Sequence, residues 1–149
     1  MKTILRFTVV LFAIASLSSC TKTAFDQGSN IAGSWVLTDA ARATSHGWQT
    51  ISTGLENGVF TFYNDGTVSY KDDRISMHGN WYISNSTGDY FDGNGYPSYG
   101  AHQSLDVQLI GYNNSSITLN FENFLYAGNS FVGTDYYAGY AERYEFSRY

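Results

Sequence analysis

From Gly33 onward, apolar and polar residues trade places along the chain with a period of two. Trp35 and Leu37 alternate with Ser34 and Thr38, with Val36 out of phase, and Phe60 and Phe62 share a face. Val68 and Tyr70 alternate with Thr67, Ser69 and Lys71; Leu105, Val107 and Leu109 with Asp106 and Gln108; Ile117, Leu119 and Phe121 with Thr118, Asn120 and Glu122. The last run sets Tyr140, Tyr144 and Phe146 against Arg143, Glu145 and Ser147. Successive side chains of a strand point to opposite faces, so this is the pattern of antiparallel sheet with one face buried and one wet. Asn64-Asp65-Gly66 and Tyr112-Asn113-Asn114-Ser115 separate alternating runs with residues that tolerate positive φ, as tight hairpins require. Pro97 is the one proline, and the only helix-compatible stretch, Asp39 to Arg42, is too short to matter. Counting runs gives roughly eight strands, an all-β chain that closes as an antiparallel up-and-down barrel or packs as a sandwich.

The chain opens differently. Met1, Lys2 and Arg6 form a cationic start, and Phe7 to Leu17 is apolar apart from a threonine and a serine. That is the order of a secretory signal, and it is shorter than the roughly 20 residues a spanning helix needs. Leu17-Ser18-Ser19-Cys20 resembles the lipobox of bacterial lipoproteins, in which the cysteine is lipidated and becomes the new N-terminus. Cys20 is the only cysteine, and an accessible thiolate is the nucleophile such a modification requires. The expected organisation is therefore a signal over 1–19, a small, polar, glycine-containing tether over 20–30, and one domain over 31–149.

Cleavage there changes the charge. The full chain carries a formal −5; removing Lys2 and Arg6 leaves six basic residues against thirteen acidic ones, a formal −7. An anionic domain is poorly suited to nucleic acid or to lying flat on an anionic membrane. The expected membrane contact is the lipid anchor alone. With one cysteine no intrachain disulfide forms, so stability must come from packing.

Gly33-Ser34-Trp35, Phe62-Tyr63-Asn64-Asp65-Gly66-Thr67, Gly79-Asn80-Trp81 and the late Arg148 together resemble the bacterial lipocalin-like domain found in lipoproteins of Bacteroidetes-type bacteria. The resemblance spans about 31–149 and rests on the order and spacing of short motifs. It implies a small barrel in which Trp35 and Arg148 close one end, the indole face drawing the guanidinium by about 0.5–2 kcal/mol. It also implies an envelope location, with Thr21 and Lys22 after Cys20 favouring the outer membrane.

Whether the barrel holds anything depends on what fills it. Aromatic residues make up 17% of the chain, and Trp35, Phe60, Phe62, Trp81, Phe121, Tyr144 and Phe146 are placed to occupy an eight-stranded interior. Glu142 breaks the apolar face of the last strand, so it either pairs with an inward base or sits at an open, wet end. Ser84 to Gly100 reads as a long glycine-rich loop carrying Tyr90, Phe91, Tyr96 and Tyr99, either a binding rim or a lid.

Candidate catalytic chemistry is sparse. His46, His78 and His102 form no zinc pattern, Asp89, Asp92 and Asn94 do not match a calcium loop, and no G-x-S-x-G or phosphate-binding glycine loop occurs. No cofactor or metal is expected, and the chain reads as a non-enzyme. Two functions follow. One is an envelope binding module for a small apolar or amphipathic ligand, using Tyr90, Phe91, Tyr96, Tyr99 and Glu142. The other is an interaction lipoprotein with a filled barrel that meets an envelope protein or a glycan through Tyr-rich loops, including Tyr126, Tyr136 and Tyr137.

Overall fold

A computed structural model describes residues 31–137 and 139–149. The signal, Cys20 and the tether lie outside the described residues. Within them the chain is all-β: β1 (Gly33–Thr44), β2 (Gly47–Thr50), β3 (Val59–Phe62), β4 (Thr67–Lys71), β5 (Ser76–Phe91), β6 (Pro97–Gly111), β7 (Ser116–Phe121), β8 (Asn123–Tyr126), β9 (Ser130–Tyr137) and β10 (Tyr140–Arg148). All pairings are antiparallel, in the order β7-β6-β5-β4-β3-β1-β10-β9-β8, with β2 beside β1 off that path. The two ends of the path, β7 and β8, are separated in sequence only by Glu122. The sheet therefore curls into a barrel-like wall, and the chain itself crosses the seam where no ladder joins β7 to β8. Taking β7 and β8 as one bent strand and leaving β2 aside, eight strands run around the wall.

The hairpin signals did their work. Gly66 sits at φ 84° with its N–H donating to the Tyr63 carbonyl, and Asn114 at φ 60° between β6 and β7. The stretch Asp39 to Arg42 is strand, not helix: it pairs with β10 through most of its length after a register shift between Leu37 and Asp39. That bulge inserts one residue and resets the phase, so Trp35 and Leu37 point inward before it and Ala40 and Arg42 after it.

The interior is aromatic. Trp35, Phe60, Phe62, Tyr70, Trp81, Phe121, Phe131 and Phe146 are all buried. Phe131 stacks on Phe146 at 4.4 Å, Trp35 meets Phe131 edge-on at 4.9 Å, Phe60 meets Phe146 at 5.6 Å, and Phe62 meets Trp81 at 5.6 Å. Ring pairs in such geometries add about 0.5–1.5 kcal/mol each beyond the area they bury. A glycine makes the room: Gly133 on β9, paired with Tyr144 of β10, lies so close under the Phe121 ring that a Cβ there would overlap it.

One end is plugged. Trp35 is fully buried, its indole N–H donates to the Ile31 carbonyl at 2.7 Å, and the Arg148 guanidinium lies 4.4 Å from its ring. Arg148 also donates to the Ala32 carbonyl at 2.7 Å, across Gly33, whose φ of 126° and missing Cβ leave space for the guanidinium. The first described residues are thus tied into this end.

Candidate functional site

The segment Ser84 to Gly100 is not a loop. Residues 76–91 and 97–111 pair without a break from Met77↔Gly111 to Phe91↔Pro97, so it is the outer part of one long hairpin. β7 pairs with β6 only as far as Leu105↔Phe121. Beyond that point the hairpin has no neighbour in the sheet and forms a two-stranded arm with its turn at residues 92–96. In that turn Asp92 accepts hydrogen bonds from the Asn94 and Tyr96 N–H groups at 2.8 and 2.9 Å.

The arm lies against the outside of the wall. Phe91 stacks on Tyr136 with centroids 4.1 Å apart and planes 5° from parallel. A Cβ on Gly93 would come 3.3 Å from Leu125 of β8; one on Gly95, at φ 78°, would come 2.9 Å from the Trp48 ring and 3.3 Å from Ala141. Alternation along β8, β9, β10 and β1 aims Asn123, Thr134, Ala141 and Ala41 outward, yet all four are buried. The arm and Trp48 are what lies over this outer face. Trp48 also takes the Arg143 guanidinium at 5.0 Å. Beneath, Thr134 Oγ1 and Arg143 Nε are buried with no hydrogen-bond partner among the described residues.

Bridging the seam in this way leaves clefts beside the arm. One of about 510 Å³ is lined by Asp89, Tyr90, Phe91, Tyr99, Glu122 and Tyr136, with Pro97 and Ser98. Asp89 and Tyr99 are direct cross-strand partners, so carboxylate and ring stand side by side on one face of the arm, and Glu122 comes from the seam. Neither carboxylate takes a hydrogen bond or ion pair from a described residue. A second cleft of about 460 Å³ lies between β6 and β8, lined by Tyr90, Asp92, His102, Gln103, Asn123 and Tyr126 among others. Tyr90 stacks on His102 at 4.5 Å and borders both clefts. No lysine or arginine lines either.

The barrel end opposite Trp35 is polar. Arg42 and Glu142 face each other across β1 and β10, with Arg42 Nε and Nη2 donating to Glu142 Oε1 at 2.9 and 2.6 Å. Tyr144 donates to Glu142 Oε2 at 2.7 Å, and the Arg42 guanidinium sits 4.2 Å from the Tyr140 ring. The Glu142 side chain is 12% exposed and that of Arg42 41%, so of the two expectations for Glu142 the structure shows the inward base, placed where water reaches the pair. Burial pushes the Tyr144 hydroxyl pKa up, and the bond to Glu142 pushes it further. Burial also raises Asp135, paired with Glu142, and the nearby charges of Glu122, Glu142 and Asp106 add to the rise.

No family model matches the chain, and no curated protein or solved structure does.

Of the residues singled out in the sequence, the structure brings Tyr90, Phe91 and Tyr99 together on one cleft and leaves Tyr96 apart, 68% exposed at the arm's turn. Glu142 belongs to the polar barrel end and lines neither cleft. Trp35 and Arg148 lie at the plugged end. Tyr126 ends β8 and Tyr136 and Tyr137 end β9, so none of these three is in a loop. Sequence reasoning missed Asp89 and Glu122 as neighbours, Tyr136 as the ring beneath Phe91, and Trp48 as the contact of the arm's turn. Nothing local marks these pairs, which meet only because the arm folds back across the seam. Arg42 was the legible omission: an inward carboxylate on β10 calls for a base opposite it on the neighbouring strand.

Proposed function

We propose that this protein is a lipid-anchored, non-catalytic recognition module of the cell envelope that engages its partner on the outside of its barrel, at the arm and the clefts beside it. The observation that carries this reading is the distribution of rings. Most of those pointing inward are buried in mutual contact, whereas exposed rings are spread over the surface, Tyr112 and Tyr149 among them; what sets the arm apart is that its Tyr99, 76% exposed, lines a cleft together with Tyr90 and Phe91. Natural surfaces collect exposed aromatics where they recognise something.

A small apolar ligand inside the barrel has less support. Large rings, among them Trp35, Phe60, Phe62, Phe121, Phe131 and Phe146, are buried in the interior, and the open end presents Arg42, Glu142 and Asp135, which an apolar molecule would have to desolvate. The lipocalin-like motifs support the barrel with Trp35 and Arg148 as its closure, and the lipobox-like Cys20 supports anchorage, with the outer membrane as the favoured site. The test is the mass of the protein extracted gently from its own membranes. The expected mass is that of the chain from Cys20 plus its acyl groups and nothing more. A stoichiometric small molecule released on denaturation would overturn the filled-barrel reading. In the same preparation Cys20→Ala should move the protein out of the membrane fraction; retention there would remove the anchor from the account.

A further inference from the structure

We propose that the cleft under the arm is a binding site for a neutral oligosaccharide, a specification that rests on the reading of the arm as the recognition surface. Four observations select this ligand class.

The first is the pairing of ring and acceptor. Tyr99, with an uncovered face, stands beside the Asp89 carboxylate as its cross-strand partner. A pyranose has an apolar C–H face that lies on the electron-rich face of a ring and a rim of hydroxyls that donate to carboxylates. Hydrogen bonds to an ionised acceptor are roughly twice as strong as neutral ones. The second is that Asp89 and Glu122 line one cleft from two elements, both unpaired among the described residues, so acceptors await donors from both sides. No third histidine, cysteine or carboxylate among the described residues joins them in a metal-binding group.

Charge is the third. With no lysine or arginine lining the cleft, a phosphate, sulfate or uronate would meet only like charge. A cationic ligand fits the charge and fails on ring geometry. Cages for ammonium groups surround one point with ring faces, whereas Phe91 and Tyr136 each turn one face to the other, stacked within 5° of parallel, and Tyr99 is a single open platform. The fourth is Tyr90, which borders both clefts, the second lined by amide, imidazole and carboxylate groups from Gln103, Asn123, His102 and Asp92. Two clefts that share one ring and mix apolar and polar lining suit a chain of sugar units better than a single one, and the larger, at about 510 Å³, is of the size of ordinary ligand sites.

The experiment titrates the full lipidated chain, in a detergent without a sugar head group, with neutral gluco-, manno- and N-acetylglucosamine oligomers of one to three units. Trigalacturonate and trilysine serve as charged probes. At least one neutral series should bind, tightening with length. Tyr99→Ala should weaken it about ten-fold, as loss of a stacking ring does. Asp89→Asn and Glu122→Gln should each weaken it several-fold, while Tyr112→Ala, which removes an exposed ring in the turn after β6, should leave it unchanged. Thermal unfolding of Tyr99→Ala should match the parent, so that lost binding is not lost folding. No binding by any neutral series, binding indifferent to Tyr99→Ala, or tighter binding of trilysine or trigalacturonate would each overturn the proposal. If arm positions still cross-link to a partner in cells while every sugar fails, the oligosaccharide is wrong and the arm reading stands. If the arm cross-links nothing, both fall.

Discussion

Gly133 shows how one absent side chain shapes the core. Its Cα lies under the Phe121 ring, which in turn touches Phe146 and Tyr144. Gly133→Ala should force that ring aside and cost about 1–3 kcal/mol, the usual penalty of overpacking, as a lowered denaturation midpoint with unchanged slope. Asp135 behaves in the opposite sense. Its carboxyl is held above its ordinary range by burial and by neighbouring negative charge, so the folded state holds the proton more tightly than the unfolded chain. Its contribution is therefore most favourable at acid pH and is lost as pH rises through the raised value. Asp135→Asn should raise the melting temperature at neutral pH, with the gain vanishing toward about pH 3, where both states are protonated. A gain of equal size at both pH values would show that charge is not the cause.

At the scale of elements the arm carries the account. Gly95 combines φ 78° with contact to Trp48 and Ala141, so Gly95→Ala is strained in backbone and crowded in side chain. It should lift the turn from the wall, seen as faster protease cleavage near residues 92–96 with the barrel core still protected from hydrogen exchange. The alternating runs of β1, β4, β6, β7 and β10 were legible because each has one buried face. The arm was not legible. Its strands are rich in Ser, Asn, Thr, Gly and Asp with rings on both faces, and glycine content reads as loop unless the partner strand is known. β9 was missed for a related reason, since Gly133 takes an inward position that alternation assigns to an apolar side chain. β8 was missed because Glu122 ends one apolar run just where the chain changes partners. The site is mostly made of these less legible parts. Its rings could be named from sequence, but not the acceptors Asp89 and Glu122 or the fold-back that joins them.

For the whole molecule, the proposed anchor and the plugged end belong together. Cys20 lies eleven residues before Ile31, which is buried beside Trp35. An anchor at Cys20 would enter the domain at that end. The Trp35 and Arg148 end would then face the membrane and the Arg42 and Glu142 end would face away. The formal −7 of the cleaved chain would hold an anionic bilayer off. The most direct test of recognition at the arm is photo-cross-linking in intact cells, with the photoreactive residue placed at Tyr96 or Tyr99 and, as the contrasting site, at Tyr63 in the turn between β3 and β4. Recognition at the arm predicts adducts from Tyr96 and Tyr99, lost when Phe91→Ala frees the arm, and none from Tyr63. Equal adducts from Tyr63, or none from the arm, would contradict it.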